Sequence, residues 1–180
     1  YDNALLAITY LETYQATKKE KYGAIARDIL TYVIRDMTSP EGGFYCAEDA
    51  DSEGIEGKFY LWDLEEIYSI LGEEEGRTFA TFYNITSKGN FEGKYIPNLI
   101  NNNLPFDNVT AVKASRDKLL KYREKRIHPL KDDKILTSWN GLMIAAMAIA
   151  GRVLNENKYT QAAINAVNFI LNNLIRDDGR

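Results

Sequence analysis

An acidic segment, residues 48–56, contains the densest group of potentially catalytic side chains in the sequence, with five carboxylates within nine residues. Aromatic residues flank it on both sides, at 44–45 and at 59–62. Sites that process sugars combine paired carboxyl groups, which act as acid, base or nucleophile, with aromatic rings that stack on the sugar. The pattern therefore predicts a carbohydrate site. Its candidate catalytic carboxylates are Glu48, Asp49 and Asp51, and its candidate substrate-binding rings are Tyr45, Tyr60 and Trp62.

A second polar segment, residues 131–141, adds complementary groups just before and at the start of a predicted helix. Asp133 is a fourth candidate catalytic carboxylate. The candidate substrate-binding residues of this segment are Lys134, Trp139 and Asn140, which offer a cation, a stacking face and an amide. Asp2 and Asn3, at the start of the first predicted helix, complete the set. For the two asparagines, helix capping or hydrogen bonding between helix pairs is an equally open interpretation.

The acidic segment has two other interpretations. A solvated turn between two strands explains its composition, and it loosely matches the opening of a calcium-binding loop over Asp49, Asp51, Glu53 and Gly54. The match fails at the twelfth position, where such a loop needs Glu and this sequence has Tyr60. We therefore predict no metal site, and no cofactor is expected either.

Composition excludes several classes of function. The 180-residue chain has 22 Lys and Arg against 26 Asp and Glu, and this net charge of −4 argues against a nucleic-acid partner, which normally requires a basic face. No run of about 18 apolar residues is present, so the sequence predicts no membrane span. The single cysteine, Cys46, and the single histidine, His128, exclude an internal disulfide, a multi-cysteine zinc site and paired-imidazole chemistry. This composition is compatible with a reducing compartment, and we expect a cytoplasmic location.

Apolar residues recur at helical spacing through most of the chain, which predicts an all-α fold. The predicted helices cover approximately residues 2–14, 22–36, 63–72, 73–83, 108–126, 138–154 and 157–175. Two aromatic segments, 44–46 and 58–62, have the composition of strands and predict a small β-hairpin around the acidic segment.

The first and last helix pairs are related by an internal repeat. A shift of 137 residues places Asn3 on Asn140, and a shift of 141 places 34–36 on 175–177. Coincidence between two amphipathic helix pairs is the alternative explanation. If the repeat holds, two helix–turn–helix units are present with another helical unit between them, as in solenoids and closed α/α toroids.

Stacking of such helix pairs has a consequence for the candidate residues. The connections that enter successive inner helices emerge on one face of the array, so the segments 1–3, 37–62 and 127–139 are expected to share a rim. Loops on a rigid scaffold are a common place for binding chemistry. The candidate catalytic and binding residues all lie in these three segments or directly after them.

Longer motifs resemble the spermatogenesis-associated protein 20 family, whose bacterial and archaeal members are described as highly conserved proteins that contain a thioredoxin domain. The motifs are YDNA at 1–4, DMTSPEGGFY at 36–45, EDADSEG at 48–54, EGKFY at 56–60, GNFEG at 89–93 and DDKILTSWNGLM at 132–143. Members of this family carry an N-terminal thioredoxin-like domain, followed by a helical region similar to six-hairpin glycosidases and N-acylglucosamine 2-epimerases. The resemblance covers nearly the whole chain.

This resemblance implies a fold, and it favours carboxylates over histidines as the catalytic residues. It implies that residues 1–180 are a single partial domain, part of an (α/α)6 toroid of antiparallel helix hairpins, with the small β-hairpin near residues 44–62 and without the thioredoxin-like domain. Glycosidases of the related fold use acidic residues, which this chain supplies. The epimerases use histidines, and the lone His128 matches no such motif.

We therefore expect a carbohydrate-active or carbohydrate-binding domain, with a sugar as ligand. The alternatives are a non-catalytic scaffold that binds a ligand or peptide and works with the thioredoxin-like domain of the longer chain, and an acidic loop that only holds a structural cation. No nucleic acid or membrane is expected as a partner. A partial toroid would lack groups from later hairpins, so we expect no activity from this chain alone, and its exposed hydrophobic edges favour self-association.

Overall fold

The structure, a computed structural model, describes residues 1–100, 102, 109–175 and 178. In this part of the chain there are seven α-helices and four two-residue strands, so the predicted all-α class with a small β-hairpin is confirmed. The helices are α1 (Asp2–Thr17), α2 (Glu20–Asp36), α3 (Leu64–Leu71), α4 (Glu73–Phe82), α5 (Val109–Arg123), α6 (Thr137–Val153) and α7 (Asn157–Asn173). The strands are β1 (Ala47–Glu48), β2 (Asp51–Ser52), β3 (Ile55–Glu56) and β4 (Lys131–Asp132). None of the helices within these residues is long and apolar enough to cross a membrane.

The chain divides into two compact units. Unit 1 consists of residues 1–48 and 131–180, and unit 2 consists of residues 49–130. Unit 1 contains α1, α2, α6 and α7, whereas unit 2 contains α3, α4 and α5. The interpretation of residues 1–180 as one partial toroid domain stays a prediction.

Unit 1 is built from two helical hairpins. Helix α1 packs on α2, α6 packs on α7, and α1 also packs directly on α6. The α1 face in the core consists of Ala4, Ala7 and Leu11, which are fully buried and follow helical spacing. Small side chains on this face allow the two helices to approach closely, and Met143 and Met147 of α6 fill the remaining space in the same core.

The two hairpins of unit 1 agree with the repeat found in the sequence. Lys18 ends α1 in the left-handed conformation at φ 58°, and Asn155, which lies 137 residues later, has φ 56° two residues after the end of α6. Ala26 and its counterpart Ala163 are both buried. The part of the repeat that falls on residues 176–177 lies outside the described residues. Since α1 packs directly on α6, unit 2 is an insertion in the chain between two neighbouring hairpins.

The predicted β-hairpin is present, but its strands differ from the expected ones. Strands β2 and β3 pair within the acidic segment, and Glu53 and Gly54 between them both have positive φ, as a tight two-residue hairpin turn requires. The segments 44–46 and 58–62 do not pair with each other, because their backbone groups bond elsewhere. Tyr45 N donates to the Met37 carbonyl, and Cys46 N donates to the Asp132 carbonyl.

Two other strands pair at the point where the chain leaves unit 1 for the insertion and later returns to it. Strand β1 pairs antiparallel with β4, and the opposed residues are Ala47 with Asp132 and Glu48 with Lys131. The Lys131 ammonium also donates to the carbonyl of Asp36 at the end of α2. Both ends of the inserted segment are therefore fixed to the helices and strands of unit 1.

Unit 2 has its own hydrophobic core between α3, α4 and α5. Its members include Trp62, Ile67, Phe79, Phe82, Tyr95 and Leu119. Arg126 secures one side of this core, since its guanidinium donates to the carbonyls of Phe59 and Leu61, both at 2.8 Å, and to the Glu66 carboxylate at 2.7 Å. The same guanidinium lies over the Trp62 ring, 4.2 Å from its centroid.

An ion pair ties the two helical hairpins of unit 1 together. Arg27 of α2 donates from Nε to a carboxylate oxygen of Glu156 at 2.6 Å, and Glu156 is the residue directly before α7. Lys158 contacts the second oxygen of the same carboxylate at 2.7 Å. These two cations hold the pKa of Glu156 below its usual value.

We predict that Glu156→Gln lowers the free energy of unfolding by about 1 kcal/mol at neutral pH, as expected for a partly exposed ion pair. A carboxylate whose pKa is lowered by folding contributes fully above its unfolded pKa, and this contribution is lost as the pH falls through the folded-state value. The difference between the wild type and the variant should therefore shrink on acidification. Urea unfolding at a series of pH values measures it. Glu12→Gln removes an exposed α1 carboxylate that has no ion pair in the described structure, and an equal loss in that control would contradict the prediction.

Candidate functional site

A cleft in unit 1 lies at the beginning of the two neighbouring helices α1 and α6, and we call it the α1–α6 cleft. Its cavity volume is about 40 Å³, so the cleft is small. Its polar and aromatic lining residues are Tyr1, Asn3, Tyr45, Cys46, Trp139 and Asn140, and its apolar floor is formed by Val33, Met37, Phe44 and Met143. Residues from each of the three predicted rim segments, 1–3, 37–62 and 127–139, thus line this cleft.

Aromatic rings form one wall of the α1–α6 cleft. The rings of Tyr1 and Trp139 lie 4.9 Å apart between centroids, with an angle of 57° between their planes. Tyr1 is 49% exposed and Trp139 is half-buried, so both rings have surface that a ligand can contact. Tyr45 adds a third, half-buried ring, and the Lys131 ammonium lies 5.9 Å from its centroid. Such rings bind flat apolar surfaces well.

Asn140 holds the wall of the α1–α6 cleft in place. Its side chain is 1% exposed, its Oδ1 accepts a hydrogen bond from Phe44 N at 2.8 Å, and its Nδ2 donates to the Phe44 carbonyl at 2.9 Å. The same Nδ2 also donates to the carbonyl of Leu136 at 3.1 Å. Both polar atoms of this amide are therefore engaged by backbone. Of the two interpretations left open by the sequence, the structure supports hydrogen bonding between helix pairs, which makes Asn140 a positioning residue.

Asn3, the counterpart of Asn140 in the repeat, is arranged differently. It lines the α1–α6 cleft and is half-buried, and its side chain makes no hydrogen bond to any of the described residues. Its neighbour Asp2 is exposed in the first turn of α1, where a carboxylate interacts favourably with the helix dipole. Asn3 is thus the amide of the cleft that is available to a ligand.

The two candidate catalytic carboxylates of unit 1 are not among the residues that line the cleft. Glu48 lies in β1 and accepts a hydrogen bond from the Tyr32 hydroxyl at 3.2 Å. Burial, together with this carboxylate, raises the pKa of Tyr32 well above its usual range. Asp133 is exposed. Its neighbours Lys134 and Asp132 form an ion pair at 2.9 Å, which lowers the pKa of Asp132 and engages the Lys134 ammonium.

The remaining candidates belong to unit 2. Asp49 and Asp51 are exposed, and a carboxylate oxygen of Asp49 accepts a hydrogen bond from the backbone N of Asp51 at 3.1 Å. Tyr60 is half-buried and packs edge-on against Phe59. Trp62 is only 5% exposed, so its ring belongs to the core of unit 2 and offers little surface to a sugar. The predicted site residues are therefore divided between the two units.

The arrangement of the acidic segment tests the interpretation that this segment holds a structural cation. Among the residues that the structure describes, no group of three or more His, Cys, Asp or Glu side chains is arranged to hold a metal ion. Within the segment, Glu53 instead forms an ion pair with Lys58 at 2.7 Å. The carboxylates of β2, β3 and their turn thus have the exposure expected of a solvated hairpin.

Two of the polar and aromatic residues that line the cleft, Tyr1 and Cys46, were not among the predicted binding residues. Tyr1 precedes α1 on the predicted rim next to Asn3, and an aromatic residue at such a position is a signal that could have found it. Cys46 lies in an aromatic segment with the composition of a strand, and nothing in its sequence context indicates that it lines a cleft. Its contact with the cleft follows from the hydrogen bond between Cys46 N and the distant Asp132 carbonyl.

We predict that Asn140→Ala lowers the free energy of unfolding by about 3 kcal/mol, because it leaves the buried N–H and carbonyl of Phe44 without partners. Asn140→Asp should also destabilise the protein, since a buried carboxylate cannot donate to the Phe44 carbonyl. Thermal and urea unfolding measure both effects. Asn3→Ala is the matched control, as it removes the same side chain from the position that the repeat relates to Asn140. If the two alanine variants lost equal stability, the positioning role of Asn140 would be wrong.

The chain has relatives among known proteins. No family model matches the chain. The chain is 30% identical to spermatogenesis-associated protein 20 of human and of rat, in alignments that cover 94% of this chain and 26% of each relative. The mouse protein of the same name gives the same identity and coverage. The chain thus spans about a quarter of the length of the curated relatives it matches, and the resemblance drawn from the sequence motifs is confirmed.

Proposed function

We propose that this homologue of the spermatogenesis-associated protein 20 proteins is a non-catalytic binding domain, whose ligand site is the α1–α6 cleft. The observation that carries the proposal is the lining of this cleft, in which aromatic rings and an available amide come together and no Asp or Glu takes part. A ligand that fits is neutral, has a flat or apolar face for Tyr1 and Trp139, and has polar groups for Asn3.

Hydrolysis of a glycoside makes different demands. It requires two carboxyl groups, about 5 to 9.5 Å apart, that face the bond to be broken from both sides. Glu48 already accepts a hydrogen bond from Tyr32, and Asp49 accepts one from the backbone of Asp51. These contacts support a structural role for the acids and a binding role for the cleft.

A carbohydrate-active site is the second candidate function, and the pair of rings formed by Tyr1 and Trp139 favours it. In that case the acids that flank the sugar would come in part from regions of the longer relatives that this chain does not include. Under either candidate we propose that the domain works beside the thioredoxin-like domain implied by the family resemblance, in the cytoplasm.

The two tryptophans of the chain allow a direct test of ligand binding. In a ¹⁵N-labelled chain each indole N–H gives one NMR signal, and Trp139→Phe assigns the signal of the cleft. We predict that neutral oligosaccharides or peptides that bind will shift the Trp139 signal and leave that of Trp62 in place, because Trp62 is buried in unit 2. A panel in which no neutral ligand shifts Trp139 up to millimolar concentration would contradict the proposed binding function.

Catalysis is tested separately with a panel of chromogenic glycosides. We predict no turnover by the chain, and therefore no difference between the wild type, Glu48→Gln and Asp133→Asn. Turnover that either substitution abolishes would overturn the non-catalytic proposal and establish the carbohydrate-active candidate in its place.

A further inference from the structure

The two asparagines of the repeat suggest what the α1–α6 cleft binds. Asn140 binds the backbone N–H and carbonyl of one residue through both polar atoms of its side-chain amide, whereas Asn3 exposes the same amide to the cleft. We infer that Asn3 is a second backbone clamp and that it binds an extended polypeptide segment. This inference rests on the proposed binding function and names the class of its ligand.

The equivalence of the two asparagines is supported by the helices that carry them. A shift of 137 residues relates Asn3 to Asn140 and also relates the left-handed residues Lys18 and Asn155 that follow α1 and α6. Both helices begin at the α1–α6 cleft and each is the first helix of its hairpin. The two amides therefore occupy the same place in two copies of one structural unit.

The helix faces that accompany the two amides differ in burial. On α6, Asn140 shares its face with Met143 and Met147, which are 6% and 0% exposed in the core of unit 1. The same shift relates these methionines to Leu6 and Tyr10 of α1. Leu6 is 50% exposed and Tyr10 is half-buried, because α1 uses a different face, that of its buried alanines, to contact α6. On the α1 face with Asn3, Leu6 is thus an exposed apolar side chain, while Tyr10 packs against the core of unit 1 and stacks on Tyr22.

The chemical class of the ligand follows from the way in which Asn140, the buried member of the pair, binds its backbone partner. Phe44 donates its N–H to Asn140 Oδ1 and accepts from Nδ2 through its carbonyl, which is the paired exchange that a neighbouring strand would make. The residue before it is Gly43, where a Cβ atom would come within 2.7 Å of the Ile135 side chain. This close approach to Ile135 belongs to the Asn140 copy, so the clamp itself requires only the N–H and the carbonyl of the bound residue.

A synthetic peptide with the sequence of residues 42–45, Gly-Gly-Phe-Tyr, acetylated and amidated at its ends so that it is neutral, is the probe for this clamp. Titrated into the ¹⁵N-labelled chain, it should shift the side-chain amide signals of Asn3 and the indole signal of Trp139 in a saturable way. Because two hydrogen bonds are lost, Asn3→Ala should weaken the apparent affinity by about tenfold or more. The same peptide with an N-methyl group on its phenylalanine cannot donate to Asn3 Oδ1, so it should bind equally weakly to the unchanged chain.

Each outcome of this experiment has one meaning. Equal binding of the normal and N-methylated peptides, or unchanged affinity in Asn3→Ala, would overturn the clamp. If oligosaccharides shift Trp139 and the peptide does not, the clamp is wrong while the proposed binding function stands. If neither ligand shifts Trp139, both fail. Dimerisation of the chain that covers Leu6 and excludes the peptide would also overturn the clamp and would assign this face to a second copy.

Discussion

The pair of hydrogen bonds between Asn140 and the backbone of Phe44 is the constraint on which unit 1 depends. The segment from the end of α2 to β1 has no regular structure of its own, and its buried polar groups need partners. One fully buried amide satisfies a donor and an acceptor together and ties this segment to the first turn of α6. It thereby fixes the position of Tyr45 and Cys46, which follow directly and line the cleft.

Local patterns in the sequence predict most of the fold. The helices follow from apolar periodicity and glycine stops, such as Gly72 after α3, and the relation between the two hairpins of unit 1 follows from the repeat. The ends are less well predicted. Helix α5 ends at Arg123 and not near 126, and the predicted start at Asn108 lies outside the described residues. Helix ends depend on which backbone groups find other partners, and those partners are not local.

The errors at the predicted site have the same origin. The aromatic segment before α3 has the composition of a strand that lines a sugar site. In the structure, however, Arg126, which lies far along the chain, covers the Trp62 ring and binds the carbonyls beside it. A contact of this kind leaves no periodic signal. In the same way, residue types show that Asn140 carries an amide, while only the fold shows that the amide is already engaged.

The ladder between β1 and β4 has a wider meaning for how this chain can vary. Opposed residues of an antiparallel pair are only about 5 Å apart, so the backbone leaves the helical hairpins after Glu48 and rejoins them at Lys131 almost where it left. The entropy of bringing these two points together is offset by the ladder and changes only slowly with the length of the loop. Residues 49–130 are therefore a module that can be shortened, extended or replaced during evolution while the hairpins keep their path.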